Sequence, residues 1–164
     1  MKIPSRRFWV RGGLSLVLVL AAIQFVPYGR DHTNPPVGAE PAWDSPETRV
    51  LAKRACFDCH SHETEWPAYS RVAPVSWLIQ RDISEGREAL NFSDWQRPQK
   101  EAREAAEEVL EGEMPLRLYQ LMHSHARLSV ADREQLARGL KSTLGGSLKA
   151  QREMRSDEVE REGK

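Results

Sequence analysis

Apolar residues fall into two patterns along this chain: a near-continuous run close to the N-terminus, and short helically spaced groups after residue 45. The run from Leu14 to Val26 is interrupted only by Ser15 and Gln24 and follows a basic flank of Lys2, Arg6, Arg7 and Arg11. That layout is the layout of an export segment. The strict run is shorter than the roughly 20 residues of a membrane span. Counted from Phe8 to Tyr28 it reaches that length, with Arg11 near one face. No small-x-small site closes it, so residues 1–28 read as a signal anchor, with a removed signal peptide as the alternative. The positive flank keeps the first residues inside and sends the remainder outside. Ser5-Arg6-Arg7-Phe8 resembles a twin-arginine signal, although an ordinary basic flank is the plainer reading.

Residues 29–44, with Pro35, Pro36 and Pro41, read as a Pro-rich extended tether. Ser45-Pro46 then starts a helix, the serine as N-cap and the proline at the first helical position. Val50, Leu51 and Ala55 supply its apolar face, and Trp66-Pro67-Ala68-Tyr69 closes the unit as a loop. Val75, Leu78, Ile79 and Ile83 predict a second helix over 75–90, in which Gly86 costs roughly 1 kcal/mol relative to alanine. Ala102, Ala105, Ala106, Val109 and Leu110 predict a third from Gln99 to Gly112, followed by a loop at Glu113-Met114-Pro115. Ser129-Val130-Ala131-Asp132 opens a final helix carrying Leu136, Leu140 and Leu144, and Gly145-Gly146 closes it. Residues 147–164 read as a charged flexible tail, either frayed helix or disordered. No strand pattern, repeat or phosphate-binding glycine motif occurs. The fold class is therefore all-α, with one small domain over residues 45–146.

The formal net charge of zero is unevenly spread. Residues 1–30 hold five of the 24 basic groups and no acid, so the remainder carries a net of about −5. Nucleic acid, which needs a basic face, is excluded as a partner. A basic patch on a protein partner is compatible with this balance, as is a merely solvated surface.

The motif that changes the picture is Cys56-Phe57-Asp58-Cys59-His60. C-x-x-C-H is the signature of covalent c-type haem attachment. Two thiols three positions apart can each add to one vinyl group of a porphyrin edge, and the adjacent imidazole of His60 can then ligate the iron. A thioredoxin-like site would want a βαβ pattern. A structural zinc site would want paired ligand clusters, whereas Cys56, Cys59, His60 and His62 crowd into one segment. These are the only two cysteines, and haem uses both. Such a domain depends on its cofactor for part of its folding energy.

For the sixth iron ligand, Met114 is the candidate: it comes just after a helix, and Pro115 fixes the backbone beside it. A His/Met iron is closed to small ligands and biased to higher potential. A gap-filling core methionine is the alternative. Met122, flanked by Leu118 and Leu121, reads as core packing. His62 is too close to His60 to reach the opposite face, and His123 and His125 read as exposed loop residues. Trp66, Tyr69 and Arg71 lie shortly after the motif and are candidates to contact a haem propionate.

Residues Cys56 to Ser70, together with Ala73-Pro74-Val75-Ser76-Trp77-Leu78 and Gly86 to Trp95, resemble the bacterial haem-binding domain family of small exported mono-haem c-type cytochromes. The resemblance covers most of residues 45–140. It also extends to the family's Gly-Glu-Met-Pro element, matched by Gly112-Glu113-Met114-Pro115, which implies Met114 as a ligand. His62 stands where the family often has asparagine. The expectation is thus a cytochrome c-like helical domain around one covalent haem c. It is matured by haem-attachment machinery, held at the periplasmic side of the inner membrane by its N-terminal segment, and exchanges single electrons with redox protein partners. The rival is a haem-based small-ligand sensor or peroxidase-like enzyme with an open sixth position. A further rival is a non-haem interaction module.

Overall fold

The computed structural model describes residues 6–162, with side chains described through Gly146, and every regular element among them is helical. The helices are α1 (Arg6–Ile23), α2 (Pro46–Ala55), α3 (Phe57–His60), α4 (Val75–Ala89), α5 (Ala105–Glu111), α6 (Arg117–Met122) and α7 (Val130–Glu162). Single 3-10 turns lie at Ala68–Arg71 and Ser124–Ala126. The chain forms two compact units, one from residues 1–33 and 66–82, the other from residues 34–65 and 83–164.

In the first unit, the Gln24 side chain replaces missing backbone partners: its amide donates to the Ala73 carbonyl at 2.9 Å, and its carbonyl accepts from the Ala73 N–H at 3.1 Å. The expectation of a membrane-spanning anchor over residues 1–28 is not met. Among the described residues no helix is long and apolar enough to cross a membrane. The reason is legible in α1: it has 18 residues, and three of its first six are arginines, Arg6, Arg7 and Arg11. The arginine-free remainder, residues 12–23, covers about 18 Å at 1.5 Å per residue, well short of a hydrocarbon core of about 30 Å.

The second unit holds the core, in which Leu51, Phe57, Phe92, Val109, Leu136 and Leu140 are the large buried residues. Helix α2 begins as expected, with the Thr48 N–H donating to Ser45 Oγ at 3.2 Å and Pro46 at its start. Its buried face is Thr48, Leu51, Ala52 and Ala55; Val50, expected inward, is exposed. Helices α2 and α5 both pack on α7. The α2–α7 approach is close because Gly139 faces Thr48: a Cβ there would lie 2.0 Å from Thr48 Oγ1. Arg54 of α2 also pairs with Asp132 of α7 at 2.7 Å.

Two expected boundaries and one expected face differ. Helix α5 starts at Ala105 rather than Gln99, because the Gln99 side chain accepts from the Asn91 N–H and donates to the Asp94 and Arg97 carbonyls. Those bonds tie the preceding residues to the end of α4 instead of a helical ladder. Helix α4 buries Ser76 and Ile83, while Val75 and Leu78 are exposed. Gly145-Gly146 does not close α7, which continues to Glu162. Positive φ occurs only at Gly29 and Gly112 among the described residues, so the pair keeps right-handed backbone where a C-cap needs left-handed. Residues 163–164, the end of the expected tail, lie outside the described residues.

Residues 34–44 form no regular element, and they are bound along the domain. Gly38 N–H donates to the Ser93 carbonyl, and Ala39 carbonyl accepts from Trp95 N–H, both at 2.9 Å. Glu40 takes two hydrogen bonds from Arg49, at 2.6 and 2.7 Å, and one from Trp43 Nε1.

Candidate functional site

The pentapeptide Cys56–His60 forms one helical turn immediately after α2. The Cys56 carbonyl accepts from the Cys59 and His60 N–H groups at 3.1 and 2.9 Å. Phe57 is the anchor of that turn. It is 1% exposed, its ring lies 5.5 Å from that of Phe92, and the Arg49 guanidinium sits over the Phe57 ring at 5.6 Å. Burying Phe57 leaves its neighbours Cys56, Asp58, Cys59 and His60 only partly covered. The Asp58 carboxylate accepts from Glu65 N–H at 2.8 Å and from the Tyr119 hydroxyl at 2.5 Å, which fixes the loop after the motif and brings α6 against it.

His60 is held by backbone. Its Nδ1 lies 3.0 Å from both the Gly86 and the Leu90 carbonyl oxygens. Carbonyls only accept, so Nδ1 carries the proton, and in the neutral ring Nε2 keeps its lone pair. Burial lowers the His60 pKa below its usual value, against the opposing pull of the two carbonyls, so the neutral form prevails. This is the arrangement by which a second shell of hydrogen bonds orients a metal-ligating histidine. Gly86 permits it. A Cβ on residue 86 would stand 2.7 Å from the Cys59 carbonyl oxygen, so only glycine lets α4 approach the motif this closely.

His60, Cys56 and Met114 line one cavity in the second unit. Its apolar walls include Leu90 and Phe92 after α4, Val109 of α5 and Leu140 of α7. Glu101, Glu104 and Glu108 are also at its edge. The cavity volume is about 140 Å³, and one side is open to solvent. Burial, then the neighbouring Cys59, pushes the Cys56 thiol up to about 12, so it stays protonated at neutral pH; Cys56 and Cys59 are both free. Met114 arrives by a chain reversal: Gly112 is left-handed at φ 79°, and the Glu108 carbonyl then accepts from both Glu113 and Met114 N–H groups. That reversal folds the Gly-Glu-Met-Pro element back onto its own helix and packs Met114 against the core.

The other candidates lie elsewhere. Both ring nitrogens of His62 are engaged, Nδ1 with the Pro36 carbonyl at 2.7 Å and Nε2 with the Asn91 amide at 2.9 Å, so it completes no zinc set with the cysteines. His123 stacks on Tyr119 at 4.1 Å, and His125 is exposed, as expected. Met122 with Leu118 and Leu121, expected in the core, is exposed. Trp66 stacks on His32 at 4.3 Å within the first unit, to which Tyr69 and Arg71 also belong; the cavity itself is built wholly from the second. Sequence reasoning missed the carbonyls of Gly86 and Leu90, the Glu101, Glu104 and Glu108 carboxylates, and Arg87. The Arg87 guanidinium donates to the Ser61 carbonyl at 2.8 Å and to Thr64 Oγ1 at 3.0 Å. The isolated glycine inside α4 was the available signal, since such a residue often marks a close approach.

Two thiols on one turn, an unprotonated imidazole nitrogen and a thioether in an apolar cavity fit a haem, and comparison gives the same answer. The chain belongs to the haem-binding domain family. The family model matches residues 18–142, which include every residue lining the cavity. Neither curated proteins nor solved structures yield a match. The haem-binding domain thus takes a haem cofactor, and its fold is all-helical among the described residues.

Proposed function

We propose that this haem-binding protein is an exported mono-haem c-type cytochrome that passes single electrons between redox proteins. In this reading Cys56 and Cys59 would hold one haem through thioether bonds, and His60 Nε2 and Met114 would ligate its iron. The bound group supplies a one-electron couple. The chain's own residues exclude water from it through Leu90, Phe92 and Val109, and hold the imidazole with Nδ1–H aimed at two carbonyls. The observation that carries the reading is that doubly bonded His60 Nδ1, in a cavity shared with Cys56 and Met114. Export rests on the basic flank and apolar segment of the N-terminus and on the thioether chemistry, which needs the haem-attachment machinery outside the cytoplasm.

The test is spectroscopic, on the full chain produced with a haem-attachment system. Haem that stays on the polypeptide through denaturation in wild type, and is extracted from Cys56→Ala/Cys59→Ala, supports covalent attachment. A weak long-wavelength ferric band, given by iron bonded to methionine sulfur, that disappears in Met114→Ala supports the closed carrier. A sensor or peroxidase-like protein gains one observation, the Glu101, Glu104 and Glu108 carboxylates on the cavity, which are groups able to move protons. Met114 in the same cavity opposes it. Ready binding of carbon monoxide by wild type would decide for that alternative.

A further inference from the structure

Arg87 is a charge held beside the haem motif by neutral atoms. It follows Gly86, where α4 meets the Cys59 carbonyl, and its guanidinium reaches the residues after His60. Nε donates to the Ser61 carbonyl at 2.8 Å, while Nη2 donates to Thr64 Oγ1 at 3.0 Å and to Asn34 Oδ1 at 3.1 Å. Thr64 passes the hold on, because its hydroxyl donates to the Asp58 carbonyl at 2.7 Å. The guanidinium therefore grips the backbone on both sides of the Cys59–His60 pair, directly at Ser61 and through Thr64 at Asp58. Ser61 and Thr64 are buried, and Arg87 is half-buried. Burial lowers the Arg87 pKa, against the opposing pull of Cys59, yet a guanidinium keeps its charge in a protein. No carboxylate among the described residues pairs with it. A desolvated cation without an anion is costly. Bonding neutral oxygens does not itself require a charge, so the charge is free to act on what stands near it.

We propose that Arg87 raises the reduction potential of the haem, as a fixed cation beside the Cys59–His60–Ser61 turn that favours ferrous over ferric iron. The proposal rests on the covalent haem and His60 ligation read above. Loss of an electron adds one positive charge at the iron, and a like charge nearby opposes it. Salt screens exposed charges far more than partly buried ones. A carboxylate in contact would cancel the field, and here the contacts are a carbonyl, a hydroxyl and an amide oxygen. The charges of opposite sign at the cavity are Glu101, Glu104 and Glu108, of which Glu101 and Glu104 are exposed and so more strongly screened. Arg87 is thus a positioning residue for the turn whose charge also acts through space.

The experiment is an optical redox titration of the full haem-loaded chain, with urea unfolding of the same samples. Arg87→Gln should shift the equilibrium toward ferric iron by about tenfold, a fall of roughly 59 mV for one electron. Arg87→Lys keeps the charge and should keep most of the potential. Thr64→Val keeps the charge but removes one acceptor and the link to Asp58; it should lower the urea midpoint and leave the potential in place. Asn34→Asp leaves Arg87 where it is and sets a carboxylate against Nη2. It should lower the potential as Arg87→Gln does, so the charge is tested even where Arg87→Gln fails to take up haem. These differences should persist from low to high salt. A wild-type potential in Arg87→Gln or in Asn34→Asp overturns the proposal and leaves the haem site standing. A fall of the same size in Arg87→Lys and Thr64→Val assigns the effect to the geometry of the turn and also overturns it. A wild type that carries no covalent haem overturns the cytochrome reading and this inference with it.

Discussion

Gly86→Ala separates the structure from helix propensity by sign. On propensity alone, alanine in place of an interior helical glycine stabilises by about 1 kcal/mol. In the structure the new Cβ would lie 2.7 Å from the Cys59 carbonyl oxygen and 3.3 Å from both Cys59 carbonyl carbon and Cβ. The nearest atom is backbone on both sides, so α4 and the motif turn must separate by several tenths of an ångström. Overpacking of that kind costs about 1–3 kcal/mol. Lengthening the His60 bonds to Gly86 and Leu90 adds about 1 kcal/mol. Against the propensity gain, the net is a destabilisation of about 1–3 kcal/mol. Gly145→Ala is the internal control, because residue 145 is helical and a Cβ there meets nothing within 4 Å; it should stabilise by about 1 kcal/mol. Urea unfolding of the haem-loaded chain, with the ferric spectrum recorded for each variant, reads both quantities. A Gly86→Ala protein as stable as Gly145→Ala, with an unchanged axial-ligand spectrum, would refute the claim that glycine is required for α4 to reach the motif.

Gly139→Ala should cost more than Gly86→Ala, because its Cβ would stand 2.0 Å from Thr48 Oγ1 and wedge α2 from α7; the urea midpoint checks this. Phe57→Ala should lose about 3–5 kcal/mol, since the ring is 1% exposed, and should lower haem incorporation during expression. Glu40 is held below the usual carboxylate range, first by the Arg49 hydrogen bonds and against burial. A carboxylate lowered in the folded state adds stability above its unfolded pKa of about 4.3 that is lost as pH falls through the folded value. Glu40→Gln should therefore flatten the loss of stability below about pH 4.3, and an equal slope in both proteins would remove Glu40 from the account.

The parts of the site that were legible are those written as side chains with a local code. Ser45-Pro46 fixes where α2 begins, C-x-x-C-H points to a haem, and Gly112 before Glu113-Met114 marks the reversal that brings a thioether back to the helix. The illegible parts divide by physical cause. Helical spacing reveals that Leu118, Leu121 and Met122 share a face, but the direction of that face depends on Tyr119 meeting Asp58, a contact 61 residues apart. Glycine at 112 and glycine at 145 are the same residue type, and only the backbone around each decides that one caps a helix and the other continues it.

The deepest gap concerns His60. Its role is written in the motif as one imidazole, yet its orientation comes from two carbonyl oxygens, and a carbonyl is present at every position whatever the side chain. No pattern of residue types can point to Gly86 and Leu90 as acceptors. The residue types do record the condition for using them: a helix that comes within van der Waals range of the motif needs a position without a Cβ. Gly86 weakens α4 locally and makes that approach possible, so the residue that looks like a flaw in the helix is part of what holds the His60 imidazole. In this chain a breach of local propensity therefore marks the functional site more informatively than a further conforming residue would.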